Sequence, residues 1–399
     1  MRRVLSVFLG LLLLVYPFCF IRAEEGEEQA AGIALQSPMA VLMDTSTGQV
    51  LVEKAGDQKA PAASAIKVMT LLLLYDGIEE GRLRMEDTVQ VSDNAAKTGG
   101  TRAFLDRGAS YKAEDLIKAI SVCSANDASV AMAEAMYGST DAFVAQMNAR
   151  AKELGANNSL FTTCTGLDDE NSYTTARDLA IIASALSRHR NASQYTAIYM
   201  DQINHAEGRV TELTNPNRLV RFYTGCDGYA TGSSNLAKYC GVITAKKGET
   251  RLVAVILGAN DSNMRFDDAR ALLEYGFANY TQRMLAKKGE ILRKNVEIPG
   301  GTPKYVNLVA KDDIRVVLKR GEENQIKKEI ELLPDVQAPV EMGQKLGTLN
   351  VYIGAVSYTH LTTVKSSEST GRRTNPPKDW SSRSPIPASW RPPEASSRA

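Results

Sequence analysis

The pattern of apolar residues changes near residue 285, and this change divides the chain into two folding units. Upstream, segments with helical spacing of apolar residues alternate with apolar runs of strand length, such as MAVLMD and RLVAVILG. Downstream, stretches such as YVNLVA and IRVVLKR alternate apolar and polar residues and are separated by Gly and Pro. These patterns predict a mixed α/β (α+β) domain over residues 24–285 and a small antiparallel β domain over residues 286–355.

The first 23 residues have the features of an export signal. Two arginines precede the apolar run VLSVFLGLLLLVYPFCFI, and the small residue Ala23 is followed by an acidic segment. An uncleaved membrane anchor is the alternative, because the run approaches spanning length. Pro17 and the acidic flank favour cleavage after Ala23, so we expect residues 1–23 to be a signal peptide and the mature chain to be exported.

The composition changes again at Val356. From there to residue 399 the chain is dense in Ser, Pro and Arg, and it contains both tryptophans, Trp380 and Trp390. A segment of this composition has too few apolar residues to form a core. The letters VSYTHLT also resemble a translated sequencing adapter. We therefore expect residues 356–399 to be a disordered or artefactual tail and assign them no function.

Charge and cysteine content exclude several classes of function. With a net charge of +1, nothing in the composition points to nucleic acid as a partner. The five cysteines include no CxxC pair and no cluster with histidine, so we expect no metal and no cofactor. Cys226 and Cys240 flank a predicted hairpin and could pair in an oxidising compartment, but we predict free thiols.

The stretch SAIKVMT places Ser64 and Lys67 three positions apart, ahead of the apolar run LLLLY. Residues at this spacing lie on one face of a helix, so hydroxyl and amine can meet. The N-terminus of a helix adds unpaired N–H groups where an oxyanion would develop. A buried, neutral Lys67 could then act as the base for a Ser64 nucleophile. The alternative is a serine cap beside a solvated lysine.

Two further stretches, later in the chain than Ser64 and Lys67, carry polar residues that could belong to the same site. SVCSANDA offers Ser124 and Asn126 between two helical patterns, where a loop could project both side chains into a cleft. DGYATGS precedes the strand-like AKYCGVITA and predicts a strand and turn. Each has a structural alternative, because Ser124 and Asn126 could cap the helix that begins near Asp127 and Thr231-Gly232 could form only a hairpin turn.

Taken in order, SxxK, SxN and a TG pair before a strand resemble the penicillin-binding and serine β-lactamase superfamily. The segments APAASAIKVMT, SANDA, FTTCTGLDDENSYTTARDLA, RFDDARALLEYGF and QAPVEMGQKLGTL narrow the resemblance. They resemble the low-molecular-mass penicillin-binding proteins, which are serine-type D-alanyl-D-alanine carboxypeptidases, over roughly Ala30 to Ala355. The resemblance implies a β-lactamase/transpeptidase-like catalytic domain followed by the small β domain.

The resemblance also implies roles for the acylating residues. Ser64 would attack the carbonyl between the last two D-alanines of a peptidoglycan stem peptide, and Lys67 would accept its proton. Ser124 would relay a proton towards the departing D-alanine. Asn126 would hold the substrate amide and Lys67 in place.

The third stretch would bind the substrate. The backbone N–H groups of Ser64 and Ser233 would form the oxyanion hole, and the strand Ala230-Thr231-Gly232 would pair with the extended peptide. The implied partners are peptidoglycan stem peptides and β-lactam antibiotics as acylating inhibitors. The implied location is the extracytoplasmic face of the bacterial membrane or the cell wall. An amphipathic C-terminal anchor is usual in the family, and we expect membrane contact only through such an anchor, which is missing after residue 355.

One residue departs from the family pattern. The third motif of the family is Lys-Thr-Gly, whereas this chain has Ala230-Thr231-Gly232. A cation at position 230 would contact the carboxylate region of the substrate and help keep Lys67 neutral by like-charge repulsion. Lys238 could substitute from across the hairpin, but in the simplest pairing it faces Thr231 rather than Ala230. Two hypotheses follow: a carboxypeptidase, possibly weakened, or a catalytically inactive peptidoglycan-binding homologue.

Overall fold

The computed structural model describes residues 32–353, 356–366 and 371–372. It divides into two compact units between Ala278 and Asn279. The first strand of the second unit begins at Tyr280, so the division lies slightly before the predicted boundary at residue 285. The predicted signal peptide and the residues from 373 onward lie outside the described residues. Within the described ranges, no helix has the length and apolar character needed to cross a membrane.

The first unit contains a five-stranded antiparallel sheet with the strand order β2-β1-β9-β8-β7. Strand β7 therefore lies at an edge of this sheet. Two two-stranded sheets, β3–β4 and β5–β6, lie apart from it. The strands of the unit are β1 Met39–Asp44, β2 Val50–Lys54, β3 Thr88–Gln90, β4 Ser110–Lys112, β5 Met200–Asn204, β6 Val210–Thr214, β7 Cys226–Ser234, β8 Lys238–Lys247 and β9 Thr250–Ala259.

Helices cover both faces of this sheet. The helices are α1 Lys67–Glu79, α2 Asp93–Lys97, α3 Ala113–Cys123, α4 Asn126–Tyr137, α5 Thr140–Glu153, α6 Ala176–Leu186, α7 Ala192–Thr196, α8 Leu219–Phe222 and α9 Ser262–Asn279. Neighbouring residues of β1 show the two faces, because Leu42 lies against Gly276 of α9 while the Met43 sulfur accepts a hydrogen bond from Ser184 of α6. Every residue of β1 is buried, as expected for a strand packed on both sides.

Helix α1 runs through the core of the first unit and is buried around most of its circumference. Residues 67 to 75 are all buried, and Leu72 and Leu74 have no exposed surface. A helix that is apolar all round is typical of the interior of a large domain. Each buried leucine stabilises the fold by about 2 kcal/mol, so this packing fixes the position of the N-terminus of α1, where Ser64 and Lys67 lie.

The second unit is a β structure, as predicted. Among its described residues the only helical segment is the single 3₁₀ turn Glu323–Gln325. Alternating residues such as Val306, Leu308 and Val351 form its core. One sheet has the order β11-β13-β17-β16-β15, and β10–β14 and β12–β18 form two-stranded sheets. The strands are β10 Tyr280–Ala286, β11 Ile291–Glu297, β12 Gly301–Thr302, β13 Tyr305–Ala310, β14 Ile314–Lys319, β15 Ile326–Leu332, β16 Lys345–Ile353, β17 Val356–Ser366 and β18 Gly371–Arg372.

The end of the second unit differs from the sequence prediction. Residues 356–366 were expected to belong to a disordered or artefactual tail, but they form strand β17, which pairs with β16 on one side and β13 on the other. The predicted boundary at Ala355 was therefore wrong for this strand. Composition misled here because the hydrogen-bonding partners of a strand come from distant residues, and the Ser- and Pro-rich residues after the strand dominate the average.

Loss of β17 is expected to weaken the second unit. In a chain that ends at Ala355, β16 loses its backbone partner along residues 356–365, so its amides should exchange with solvent faster and the unit should melt at a lower temperature. A chain that ends at Arg372 should keep both properties of the full chain. Hydrogen exchange of residues 345–353 and thermal unfolding measure the difference. Identical behaviour of the two shortened chains would mean that β17 contributes nothing to the fold.

Candidate active site

Ser64 and Lys67 lie side by side at the start of α1, as their spacing predicted. A 3₁₀ turn over Ala63–Ile66 leads directly into the helix, and Lys67 Nζ donates a hydrogen bond of 3.0 Å to Ser64 Oγ. Ala63 has φ of 44°, a left-handed conformation that costs a residue with a β-carbon about 1 kcal/mol. Ser64 is thus presented by a tight turn and remains partly exposed, while Lys67 lies beneath it.

Lys67 is buried and has three hydrogen-bond acceptors. Only 1% of its surface is exposed, and Nζ lies 2.6 Å from Asn126 Oδ1, 2.6 Å from the carbonyl oxygen of Thr165 and 3.0 Å from Ser64 Oγ. Burial lowers the pKa of Lys67 from 10.5 to about 7, because desolvation disfavours the ammonium form. A large fraction of the amine is then neutral near pH 7 and can accept a proton.

The carbonyl of Thr165 is a part of the site that sequence reasoning missed. It accepts hydrogen bonds from Lys67 Nζ and, at 3.3 Å, from Ser64 Oγ. Gly166 allows this approach, because its φ is +74° and a β-carbon there would lie 2.2 Å from the carbonyl oxygen of Ala63. A backbone carbonyl leaves no signature in a sequence. The glycine that follows Thr165 was the one available signal of close backbone contact.

The second motif forms the link between α3 and α4. Ser124 ends α3 with φ of 61°, and Asn126 is the first residue of α4. The amide of Asn126 is fixed at both ends, because Oδ1 accepts from Lys67 and Nδ2 donates to the carbonyl of Gly99 at 2.8 Å. The hydroxyl oxygen of Ser124 is buried and has no hydrogen-bond partner among the described residues. Buried polar groups are usually hydrogen-bonded, so this unpaired hydroxyl is unusual.

The third motif lies on the edge strand β7. Ala230, Thr231 and Gly232 lie within this strand, in agreement with what the resemblance implied. The alternative, that Thr231-Gly232 forms only a hairpin turn, is wrong, because the turn follows at residues 235–237. Gly232 passes close to the nucleophile, because a β-carbon there would lie 2.8 Å from Ser64 N and 2.6 Å from Ala65 N. Packing against the turn of Ser64 thus explains both the glycine and its extended conformation. Ser233, the next residue, is exposed.

Ala230 lies beside the other motifs. Together with Lys67, Ser124 and Thr231 it lines a small cavity with a volume of about 10 Å³. A cavity of this size holds about one water molecule, so the four residues are near neighbours. The structure therefore brings the three sequence motifs together at one point. Position 230 therefore lies at the same cavity as Ser124 and Lys67.

The predicted position of Lys238 was wrong. Lys238 pairs with Ser234 at the end of the hairpin, and Gly241 is the residue that faces Thr231. The exposed side chain of Lys238 therefore starts further from Ala230 than expected. A different cation contacts the strand, because the guanidinium of buried Arg265 donates to the carbonyls of Gly232 and Cys240 at 3.1 Å each. Burial lowers the pKa of Arg265 to about 10.

The cysteines of the described residues are free thiols. Across the β7–β8 hairpin, Cys226 lies opposite Ala245 and Cys240 lies opposite Gly232. The two cysteines therefore do not face each other. Burial raises the pKa of the thiols of Cys123 and Cys226 to about 12. No group of three potential metal ligands occurs in the part of the chain that the structure describes.

Comparison with known proteins identifies the family. A family model described as D-alanyl-D-alanine carboxypeptidase matches residues 24–261, and one described as the C-terminal domain of penicillin-binding protein 5 matches residues 280–367. This chain belongs to the D-alanyl-D-alanine carboxypeptidase family. A relative in that family, the D-alanyl-D-alanine carboxypeptidase DacF of Bacillus subtilis (strain 168), is 37% identical over 352 residues, which cover 88% of this chain and 90% of the relative.

Solved structures of penicillin-binding proteins confirm the predicted transpeptidase-like fold. Penicillin-binding protein 5 from Haemophilus influenzae matches with a TM-score of 0.75 and 27% identity, over 85% of this chain and 99% of that structure. Penicillin-binding protein D2 from Listeria monocytogenes, in its cefotaxime-bound form, matches with a TM-score of 0.55 and 27% identity, over 61% and 98% of the two chains. The resemblance inferred from the three motifs is therefore confirmed.

The lowered pKa of Lys67 predicts a pH dependence of stability. The native chain, with a Lys67 pKa of about 7, binds fewer protons than the unfolded chain between about pH 7 and pH 10.5, so stability rises with pH in this window. Lys67→Met removes this effect. Relative to the variant, the unchanged chain should gain up to about 1.4 kcal/mol per pH unit as the pH rises from 7 to 9.

Urea unfolding at pH 7, 8 and 9 measures this gain. Lys97→Met is the matched control, because the side chain of Lys97 is 75% exposed and its removal should leave the pH dependence unchanged. A difference between Lys67→Met and the unchanged chain that stays constant with pH would contradict a neutral, buried lysine.

Proposed function

We propose that this chain is an exported serine-type D-alanyl-D-alanine carboxypeptidase that removes the terminal D-alanine from peptidoglycan stem peptides through an acyl-enzyme on Ser64. The main support is the contact of 3.0 Å between Ser64 Oγ and the Nζ of Lys67, a lysine whose burial lowers its pKa to about 7. A neutral amine in contact with a hydroxyl is the arrangement that activates a serine nucleophile.

In the proposed first step, Ser64 Oγ attacks the carbonyl carbon between the last two D-alanines while Lys67 takes the hydroxyl proton. The oxyanion that forms would accept hydrogen bonds from the backbone N–H groups of Ser64 and Ser233. The close approach of β7 to the nucleophile supports this arrangement, because a β-carbon at Gly232 would lie 2.8 Å from Ser64 N. The 3₁₀ turn and the edge strand would then enclose the oxyanion from two sides.

The tetrahedral intermediate would collapse by breaking the C–N bond to the terminal D-alanine. The leaving nitrogen requires a proton, and Ser124 would relay to it the proton that Lys67 received. The buried hydroxyl of Ser124 and its position at the same cavity as Lys67 support this role. A water molecule then attacks the ester carbonyl and gives a proton to Lys67. The ester C–O bond breaks as Lys67 returns this proton to Ser64 Oγ, which yields the shortened stem peptide.

Substrate binding would use the edge of the sheet. An extended peptide can add to an edge strand by main-chain hydrogen bonds, and β7 occupies that position beside Ser64. Asn126 would bind the substrate amide while its Oδ1 stays on Lys67. Ala230, Thr231 and Gly232 would form the strand that lies along the substrate.

The alternative function is a catalytically inactive peptidoglycan-binding homologue, and Ala230 is the observation that favours it. A lost charge-assisted hydrogen bond is worth about 1.5–3 kcal/mol, or roughly one to two decades in rate. We propose that the missing cation weakens the enzyme and leaves the Ser64, Lys67 and Ser124 arrangement intact. The register of the hairpin gives no support for replacement of this cation by Lys238.

Location and inhibition follow from the same proposal. The apolar segment within residues 1–23 would direct export to the extracytoplasmic face of the membrane or the cell wall, where peptidoglycan is found. β-Lactams would acylate Ser64 because they present a strained amide to the same nucleophile. Contact with the membrane surface would require an amphipathic anchor of the kind that is usual in the family.

Labelling with a fluorescent penicillin tests the acyl-enzyme directly. The label should map to Ser64 by peptide mass spectrometry and should be absent in Ser64→Ala, because no other described serine lies in contact with a buried lysine in this way. Ser110→Ala, at an exposed serine of β4, is the matched control and should retain the label. Label on a different serine would contradict the assignment of Ser64 as the nucleophile.

The effect of Ala230 is testable by restoring the cation. Ala230→Lys should raise both penicillin acylation and D-alanine release from a pentapeptide by at least about tenfold, equivalent to about 1.4 kcal/mol. The new ammonium would bind the substrate carboxylate and lower the pKa of Lys67 by repulsion. Ala230→Met has a similar length without the charge and should show no gain. Equal gains in both variants would show that bulk and not charge is missing.

A further inference from the structure

Asp127, the residue after Asn126, has a buried carboxylate that binds a distant segment of the chain. Only 1% of the residue is exposed. Its Oδ1 accepts from the backbone N–H of Ala103 at 2.9 Å, and its Oδ2 accepts from that of Leu105 at 3.1 Å. The N–H of Ala128 donates to Oδ1 at 2.9 Å. Two of the three donors therefore lie outside α4, which a helix-capping role alone does not explain.

Asn126 binds the same segment. Its Nδ2 donates to the carbonyl of Gly99 at 2.8 Å, and its backbone N–H donates to the carbonyl of Thr101 at 2.8 Å. Gly100 lies so close that a β-carbon there would be 2.6 Å from Asn126 Nδ2. The segment 99–105 thus sets the orientation of the Asn126 amide, and this orientation directs Oδ1 to Lys67. Asp127 holds the other end of the segment.

Asp127 also acts on Lys67 through its charge. Three groups oppose the lowering of the Lys67 pKa by burial: Cys164, Cys123 and Asp127. Burial raises the thiol pKa values to about 11 for Cys164 and about 12 for Cys123, so both thiols are uncharged where Lys67 titrates. The charge that remains among these three groups is the carboxylate of Asp127. His205 also interacts electrostatically with Asp127, and burial lowers the pKa of its imidazole.

We propose that Asp127 is a positioning residue of this active site, which fixes the segment 99–105 against Asn126 and places a negative charge near Lys67. It does not touch the reacting atoms. Its two effects are separable, because one depends on hydrogen bonds to Ala103 and Leu105 and the other depends on charge. The kinetic part of the proposal rests on the proposed function, whereas the structural and titration parts do not.

Asp127→Asn tests both effects at once. The amide keeps the shape of the side chain but removes the charge and replaces one acceptor oxygen by an NH₂ group that cannot accept from Leu105 or Ala103. The Lys67 pKa should fall, because the opposing negative charge is gone, so the titration midpoint should move to lower pH by at least about 0.3 unit. Carbon NMR of the full chain with labelled lysine measures this, with the Lys67 resonance assigned from Lys67→Arg.

Hydrogen exchange measures the positioning effect. In the native chain the amides of Ala103 and Leu105 should be protected to a degree similar to those of α4, and in Asp127→Asn residues 98–109 should exchange at least about tenfold faster. The matched control is Asp141→Asn, because Asp141 also lies in the first turn of a helix but is exposed. It should change neither measurement.

Asp127→Glu separates the two effects. It retains the charge but cannot keep the same bond lengths, so exchange of residues 98–109 should rise while the Lys67 midpoint stays within about 0.2 unit of that of the native chain. The rate of penicillin acylation, measured against pH, gives the matching kinetic signature. The acidic side of this profile should move to lower pH in Asp127→Asn but not in Asp127→Glu.

Two results would overturn the proposal: rapid exchange of the Ala103 and Leu105 amides in the unchanged chain, or a Lys67 midpoint that Asp127→Asn leaves in place. The first measurement needs no variant, so it decides the positioning role even where a substitution prevents folding. Failure of penicillin to label Ser64 would instead reject the proposed function, and the exchange and NMR results would remain valid.

Discussion

Lys67 carries an amine into the interior of the first unit, where an unpaired ammonium would cost several kcal/mol. Two responses to this cost are visible in the structure. The pKa falls to about 7, and three acceptors surround Nζ. Each acceptor comes from a different segment: the 3₁₀ turn before α1, the start of α4 and the segment that contains Thr165. These segments must pack at one point for the lysine to be accommodated, and this packing brings together the groups that the proposed mechanism requires.

The local spacing of residues in the sequence was sufficient to predict part of this arrangement. The spacing of Ser64 and Lys67 predicted their contact because a residue three positions along a helix returns to the same face, whatever the rest of the fold. The strand MAVLMD was predicted because a short apolar run of this length is typical of a buried strand. Its observed bounds, Met39–Asp44, agree with the prediction.

Long-range geometry explains the errors. Thr231-Gly232 has the composition of a turn, which left a hairpin turn open as the alternative to a strand, but tight packing against the backbone of Ser64 and Ala65 holds the pair in strand β7. Lys238 was paired with Thr231 because sequence alone does not fix the length of a hairpin turn, and a different turn shifts every partner along the strand. The Thr165 carbonyl could not be predicted, because every residue has a carbonyl and only the fold determines which one meets Lys67. Position 230 was recognised as unusual from the motif, and the structure adds its location beside Lys67 and Ser124.

The edge position of β7 has a consequence for solubility. An exposed sheet edge can recruit a strand from a second molecule, which is a common route to aggregation. Side chains bind two carbonyls near the start of this strand: Thr196 donates to Asp227 at 2.6 Å and Asn217 to Gly228 at 3.3 Å. Both contacts lie before Ala230 along the strand. They leave fewer backbone groups for strand addition, and a pairing of only a few residues is weak.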